Sequence, residues 1–298
     1  MNRRTFVSGC ASVAGLALIG CNQGKNRLSI GTKNFTEQLI LGEMLAQLVE
    51  SRRIAEVERR FYLAGSYICQ QAILAGRIDT YVEYTGTALA AILKEPPASD
   101  PTKVFDIVQR EYASRFNLKV FPSLGFNNTF AIVMRGDDAR RDGLKTLSDL
   151  ANVAPRLRMG VGYEFLERQD GFQGLARTYD LHFAEPPRVM DLGLLYRALE
   201  SQQVDVVAGS NTDGLIAALG LAVLEDDRHY FPPYDAVPIV RPEALQRWPG
   251  VREVLESLAG KIPAEDMRRL NYAVDGQKKD ATDVVRDYLR SRSLLQPN

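Results

Sequence analysis

Along the chain, hydrophobic positions switch repeatedly between the period of a strand and that of a helix. RLSIGT (Arg27 to Thr32) is a short, nearly continuous apolar run and predicts a buried strand. Just beyond it, Asn34 is placed to cap a helix, and Glu37 three residues later can reach back as the second half of a capping box. Leu41, Met44, Leu45 and Leu48 then follow at i, i+3, i+4 and i+7, one stripe of a helix. EVERRFYL predicts a second strand, SYICQQAILAGR a helix closed near Gly76, and IDTYVEY a third strand. TGTALAAIL opens another helix, with Thr85 as its expected cap. Strands and helices in alternation predict an α/β sheet with parallel neighbours.

The middle of the chain repeats this style. FAIVMR predicts a strand, TLSDLA a short capped helix, RLRMGVG a strand, DGFQGLARTY and LGLLYRALES helices, VDVVAG a strand, and NTDGLIAALG the start of a helix. QAILAGRIDTYVEYTGT and RALESQQVDVVAGSNTDG echo each other as helix, tight turn, strand opening on Asp, and Thr/Gly helix start. Two lobes of like architecture follow from that echo, since a solenoid would need more copies. After YFPPYDAVPIVRP the pattern turns helical: EALQRW, VREVLESLAG, AEDMRRLNYAVDG and ATDVVRDYLRSR. A helical tail that returns over the first lobe would make that lobe discontinuous.

Composition narrows the class. The 298 residues are 45% hydrophobic and 25% charged, enough for a real core and for about two domains. Lys+Arg and Asp+Glu are both 37, so no net field favours nucleic acid or an anionic membrane surface. MNRRTFVSGCASVAGLALIGC joins a basic start to an apolar run too short to span a bilayer, the layout of an export signal over residues 1–21. RRTF resembles a twin-arginine signal. LIGC resembles a lipobox, which predicts a lipidated Cys21 as the only membrane attachment, followed by a polar tether over residues 22–27. Cys69 then remains as a buried structural thiol with no disulfide partner. His182 and His229 have no metal-site spacing, and no H-E-x-x-H, CxxC, G-x-S-x-G or phosphate-binding glycine loop appears. The expectation is no metal, no cofactor and no enzyme.

In open α/β sheets ligands gather beyond the carboxyl ends of strands, where helix N-termini offer free amides. Lys33, Tyr84, Thr87 and Arg168 fall at such junctions, as do Asn127, Asn128 and Thr129 before FAIVMR and Tyr234 before AVPIVR. Lys33, Thr87 and Arg168 suit a carboxylate; Tyr84, Phe130 and Tyr234 offer ring faces to a cation. Each alone has a plainer reading: a packed tyrosine, a solvated lysine, an Asn-rich turn. Asp79 and Glu83 share one strand, whereas paired acid/base carboxylates come from separate elements, so a glycosidase is set aside. Residues and spacing alone reach an exported, two-lobed α/β protein that binds a small molecule.

IGTKNFTEQLILGEMLAQLVE, GRIDTYVEYTGTAL, GFNNTFAIVMR, YRALESQQVDVV, FPPYDAVPIVRPE and MRRLNYAVDGQKKDATDVVRDYL together resemble the osmoprotectant-binding proteins of glycine betaine/carnitine/choline ABC importers. The resemblance implies a periplasmic-binding-protein-like fold of type II, two α/β lobes joined by a two-segment hinge. Lobe 1 would comprise residues 28–130 and 237–298, and lobe 2 residues 131–236. It further implies a monomer that delivers a small zwitterionic or cationic solute to an ABC permease in the inner membrane. An aromatic cage would take a quaternary ammonium and a clamp its carboxylate, carried here by Lys33, Tyr84, Thr87, Phe130, Arg168 and Tyr234. Three positions depart from the pattern. Phe130 stands where tyrosine is common, Ser210 where a further cage tyrosine is often found, and Asn128 where aspartate is frequent, removing a carboxylate near the cation. Such changes leave room for a different zwitterion, or for a bilobed sensor that signals to a membrane partner.

Overall fold

A computed structural model describes residues 27–96 and 98–295. The expected export signal, Cys21 and nearly all of the tether lie outside the described residues. Among the described residues, no helix is long and apolar enough to cross a membrane.

Among the described residues, ten strands form two sheets. They are β1 (Arg27–Gly31), β2 (Glu56–Arg60), β3 (Thr80–Tyr84), β4 (Lys119–Val120), β5 (Phe130–Arg135), β6 (Met159–Val161), β7 (Arg188–Val189), β8 (Val206–Ser210), β9 (Leu221–Leu224) and β10 (Ala236–Val240). The first sheet runs β2-β1-β3-β10-β4 and the second β7-β6-β8-β5-β9. β1 is parallel to β2 and β3, and β6 is parallel to β7 and β8. β10 and β5 lie antiparallel to both of their neighbours, so each sheet is mixed rather than wholly parallel. These two antiparallel strands follow the stretches where the chain passes from one sheet to the other. The passing segments run side by side, with Asn127 bridged antiparallel to Asp235.

The sequence echo corresponds to equivalent places: β3 and β8 each sit between the parallel strands and the antiparallel one. Each is preceded by an aspartate doing the same work. Asp79 Oδ2 accepts the Ser29 amide at 2.9 Å, and its other oxygen faces Arg241 at 3.4 Å. Asp205 Oδ2 accepts the Arg158 amide at 2.9 Å, and its other oxygen takes Arg135 Nη2 at 2.9 Å. In both sheets the carboxylate ties the entry of the central strand to its parallel neighbour and to an arginine at the end of the antiparallel strand. The surroundings decide the titration. Burial outweighs the Ser29 hydrogen bond and the Arg241 and Arg247 charges and raises the pKa of Asp79. For Asp205, burial is overcome by the Arg158 and Arg135 bonds, and the pKa falls to about 2.

A depressed carboxylate stabilises the fold above its unfolded pKa near 3.8 and loses that contribution as pH falls toward about 2. Asp205→Asn should therefore cost about 1–2 kcal/mol at neutral pH and little near pH 2. Urea unfolding of both proteins across that range checks it: parallel pH profiles would rule out the linkage.

Helix Thr36–Ser51 packs on one face of the first sheet. Helices Gly250–Ser257, Ala264–Asp275 and Ala281–Ser291 pack beside it, so Met44, Leu45, Val254, Leu258, Val285 and Leu289 share a core with Leu28 and Ile30. The helical tail thus completes the first sheet's layer. On the opposite face, Cys69, Ile73, Tyr81, Val108 and Tyr112 form a second core, with the Cys69 thiol pushed up to about 12 by burial. In the second sheet β5 alternates, sending Ile132 and Met134 to one core and Ala131 and Val133 to the other.

Local capping partly follows expectation. Thr146 caps Leu147–Ala151 in a full capping box with Asp149. Asn34 and Thr85 do not cap: Phe35 and Tyr84 hold the N-cap positions and neither supplies a side-chain cap. Glu37 and Thr85 are instead drawn into tertiary contacts. Helix Pro101–Phe116, absent from the pattern reading, is capped by Asp100, which accepts the Thr102 and Lys103 amides at 2.9 and 3.1 Å.

Candidate functional site

The turn after β3 is pinned to the segment leading into β10. Thr85 Oγ1 donates to the Pro233 carbonyl at 3.1 Å and accepts the Asp235 amide at 3.0 Å. Gly86 leaves no room for a side chain: a Cβ there would lie 2.7 Å from both the Pro233 carbonyl oxygen and the Tyr234 ring. The TGT spacing therefore presses the turn against Tyr234. It also presents Thr87, whose Oγ1 accepts Arg168 Nη1 at 3.0 Å.

Arg168 follows helix Tyr163–Glu167 on the second sheet's side of the molecule. It is held along one edge by Asp170, through Nε at 2.8 Å and through Nη2. Burial alone would lower the guanidinium's pKa, and the Asp170 charge more than reverses this, so Arg168 stays cationic. Three of its five N–H groups enter these bonds, leaving one further donor on each terminal nitrogen. Aromatic rings surround it. The guanidinium lies 5.1 Å from the Phe130 ring centre and 5.8 Å from that of Tyr234. Phe130 meets Phe165 at 4.7 Å, Tyr234 at 5.4 Å and Phe231 at 5.6 Å. Tyr234 also donates to Asp170 at 2.6 Å, so its hydroxyl orients the carboxylate that orients Arg168.

The second cluster centres on Glu37, in the first turn of Thr36–Ser51 and 2% exposed. Tyr84 OH and Asn128 Nδ2 each donate to its Oε1 at 2.6 Å, and Asn271 Nδ2 donates to Oε2 at 3.2 Å. The Thr212 hydroxyl bonds to it as well. Among the described residues no ion pair reaches this carboxylate, and burial raises its pKa against those hydrogen bonds. Ser210 ends β8 and bonds through its hydroxyl to Thr212 at 3.2 Å. Its amide donates to Asp213 at 2.9 Å. Asp213 is pushed up to about 7, chiefly by burial, with the Glu37 and Asp275 charges adding to it.

Lys33 differs from a simple clamp residue. Its ammonium is buried, ion-paired with Glu83, bonded to Ser66 Oγ at 3.1 Å, and 4.3 Å from the Tyr84 ring centre. Its charge is already neutralised, and it covers one face of Tyr84, whose ring also stacks toward Phe35 at 6.4 Å.

The structure thus brings Thr87, Arg168, Phe130 and Tyr234 into one cluster, and Tyr84, Asn128 and Ser210 into a second around Glu37 and Thr212. Asp170, Thr212, Asp213, Asn271, Phe165 and Phe231 escaped the sequence reading, and Glu37 entered it only as half of a capping box. Only Asp170 carried a local signal, sitting two residues after Arg168. The clusters join the two sheets' elements: Arg168 reaches Thr87, Asn271 Nδ2 donates to the Thr212 carbonyl at 2.9 Å, and the Tyr67 amide donates to Glu164 at 3.3 Å. Among the described residues, no group of His, Cys, Asp and Glu could hold a metal ion.

A family described as the substrate binding domain of ABC-type glycine betaine transport systems matches residues 26–291. The chain is 35% identical over 295 residues to the carnitine transport binding protein OpuCC of Listeria monocytogenes, covering 98% of this chain and 93% of that protein. It is 36% identical over 268 residues to the ergothioneine transport permease/ergothioneine binding protein EgtU of Helicobacter pylori, covering 90% of this chain and 48% of that one. A crystal structure of a glycine betaine/carnitine/choline ABC transporter is similar at a TM-score of 0.74 and 34% identity, covering 90% of this chain and 100% of that chain. The two mixed sheets with their helices accord with the type II periplasmic-binding-protein fold. Substrate-binding proteins of ABC importers are extracytoplasmic and are not enzymes. The chain belongs to this family of substrate-binding proteins of ABC-type glycine betaine transport systems.

Proposed function

We propose that this protein captures a small zwitterion between lobe 1 (residues 28–130 and 237–298) and lobe 2 (residues 131–236), closing over it and passing it to its permease as a monomer tethered through a lipidated Cys21. The observation that carries this reading is the Arg168–Thr87 bond across the two sheets' elements, set among Phe130 and Tyr234. A fixed guanidinium edge and a hydroxyl receive the carboxylate, while the rings of Tyr84, Phe130 and Tyr234 receive the methylated cation. Arg168 lies 5.1 Å from the Phe130 ring centre and 5.8 Å from that of Tyr234, so the clamp and the rings form one site. Lys33 lies over one face of the Tyr84 ring, and Asn128 and Ser210 contribute polar groups to the same site. Closure of lobes about two adjacent crossing segments is a known means of sequestering a solute.

Calorimetric titration with glycine betaine, proline betaine, carnitine, choline and ergothioneine tests the reading. A carboxylated member of this set is expected to bind at about micromolar Kd or tighter, roughly −8 kcal/mol. Choline binding alone would retain the cage and reject the clamp. Failure of all five would reject the substrate class.

A further inference from the structure

The Glu37 cluster has no place in a site built only of rings and a carboxylate clamp. Four donors converge on Glu37: Tyr84 OH, Asn128 Nδ2, Asn271 Nδ2 and the Thr212 hydroxyl. A carboxylate only accepts, so both asparagines turn Nδ2 toward it. That turn has a consequence. The Asn128 and Asn271 Oδ1 atoms are buried and have no hydrogen-bond partner, and Asn271 is only 1% exposed. The neighbouring Asn127 and Asn211 Oδ1 atoms are equally unpartnered. Asn127 lies in the crossing segment beside Asn128, and the Asn211 amide donates to the Thr129 carbonyl at 3.0 Å.

Buried polar atoms are nearly always satisfied, and an unmet acceptor costs about 1–3 kcal/mol. Two such acceptors on the asparagines that hold Glu37, with no ion pair to that carboxylate among the described residues, make an environment rich in lone pairs. A trimethylammonium group is drawn to such charge but offers the lone pairs only weak C–H contacts, not a full hydrogen bond. A cationic end bearing N–H supplies one.

We propose that Asn128 Oδ1 and Asn271 Oδ1 form an N–H-recognising subsite, oriented by Glu37 as a positioning residue, and that the preferred solute carries at least one N–H donor at or beside its cationic centre. The assignment rests on the proposed inter-lobe binding of a zwitterion, whose carboxylate goes to Arg168 and Thr87. Lobe closure completes the subsite, because Asn271 on the C-terminal helices bonds to the Thr212 carbonyl near β8. The ligand is thereby read at both ends: by donors where it is negative and by acceptors where it is positive.

The test uses matched pairs differing in one N–H: dimethylglycine against glycine betaine, N-methylproline against proline betaine, and histidine betaine against its ring-N-methylated form. Calorimetry on the full chain at neutral pH should show at least one N–H member binding tenfold or more tighter than its methylated partner. Glu37→Gln supplies its own donor, releases one asparagine to flip, and should shrink that preference to threefold or less while the carboxylate requirement persists. The wild-type comparison needs no variant, so a misfolded Glu37→Gln does not obscure the answer. Equal or tighter binding of the methylated members to the wild type overturns the subsite and leaves the proposed zwitterion receptor standing. If none of the six ligands binds, the receptor reading and the subsite fall together.

Discussion

Arg168→Ala should abolish useful affinity for a carboxylated solute. Removing one partner of a desolvated charge pair costs about 2–5 kcal/mol, or roughly thirty-fold to several thousandfold in Kd. The single variant carries a second penalty, because Asp170 is 1% exposed and its only ion-pair partner is Arg168 among the described residues. An isolated buried carboxylate destabilises a fold by about 3–5 kcal/mol. A lost ligand could then reflect a lost structure, so the informative protein is Arg168→Ala combined with Asp170→Ala. Removing both charges leaves the Tyr234 hydroxyl without its acceptor and the Thr87 hydroxyl without its donor, both neutral groups, and urea unfolding should recover most of the stability. Affinity should not recover. A stable double variant that still binds at wild-type strength would make Arg168 a structural arginine and move the clamp elsewhere. Thr87→Val offers the smaller companion effect, about 1 kcal/mol for one hydrogen bond.

How much of this was legible in the chain depends on the range of the interactions involved. Strands such as β1, β3, β5 and β8 announce themselves because their apolar runs are local, and the mirrored Asp79 and Asp205 entries survive as a visible echo. The two-residue strands β4 and β7 carry no period at all and exist only through their neighbours. Glu37 shows how a correct local rule fails. Asn-x-x-Glu before an apolar run has the spacing of a capping box, yet the carboxylate is claimed by Tyr84, Asn128 and Asn271, the last 234 residues away. Tertiary bonds outweighed a cap worth about 1 kcal/mol. The absence of aspartate at position 128 also gains meaning: a carboxylate is present there after all, contributed by Glu37 and reached through the Asn128 amide. The aromatic cluster was half visible, since Phe130 and Tyr234 flank strands, whereas Phe165 and Phe231 join only through packing.

The other large effect falls on Lys33. Lys33→Met leaves Glu83, 0% exposed, without a cation, and stability should drop by about 3–5 kcal/mol. Glu83 has little else to hold it: Oε1 also accepts the Tyr84 amide at 2.8 Å, and Oε2 has no partner. Pairing Lys33→Met with Glu83→Gln removes both charges, keeps an acceptor for that amide, and should restore most of the loss in a urea titration. This rescued protein then separates two roles that one ammonium could fill. If Lys33 acts by covering the Tyr84 ring, the methionine thioether still packs on that face, and affinity for the carboxylated solute should change by less than about threefold. If Lys33 itself grips the ligand carboxylate, the same stable protein should bind tenfold or more weakly, the worth of a charge-assisted hydrogen bond. The Glu83 pairing favours the first outcome, because an ammonium already neutralised in a buried site has little attraction left for a second anion.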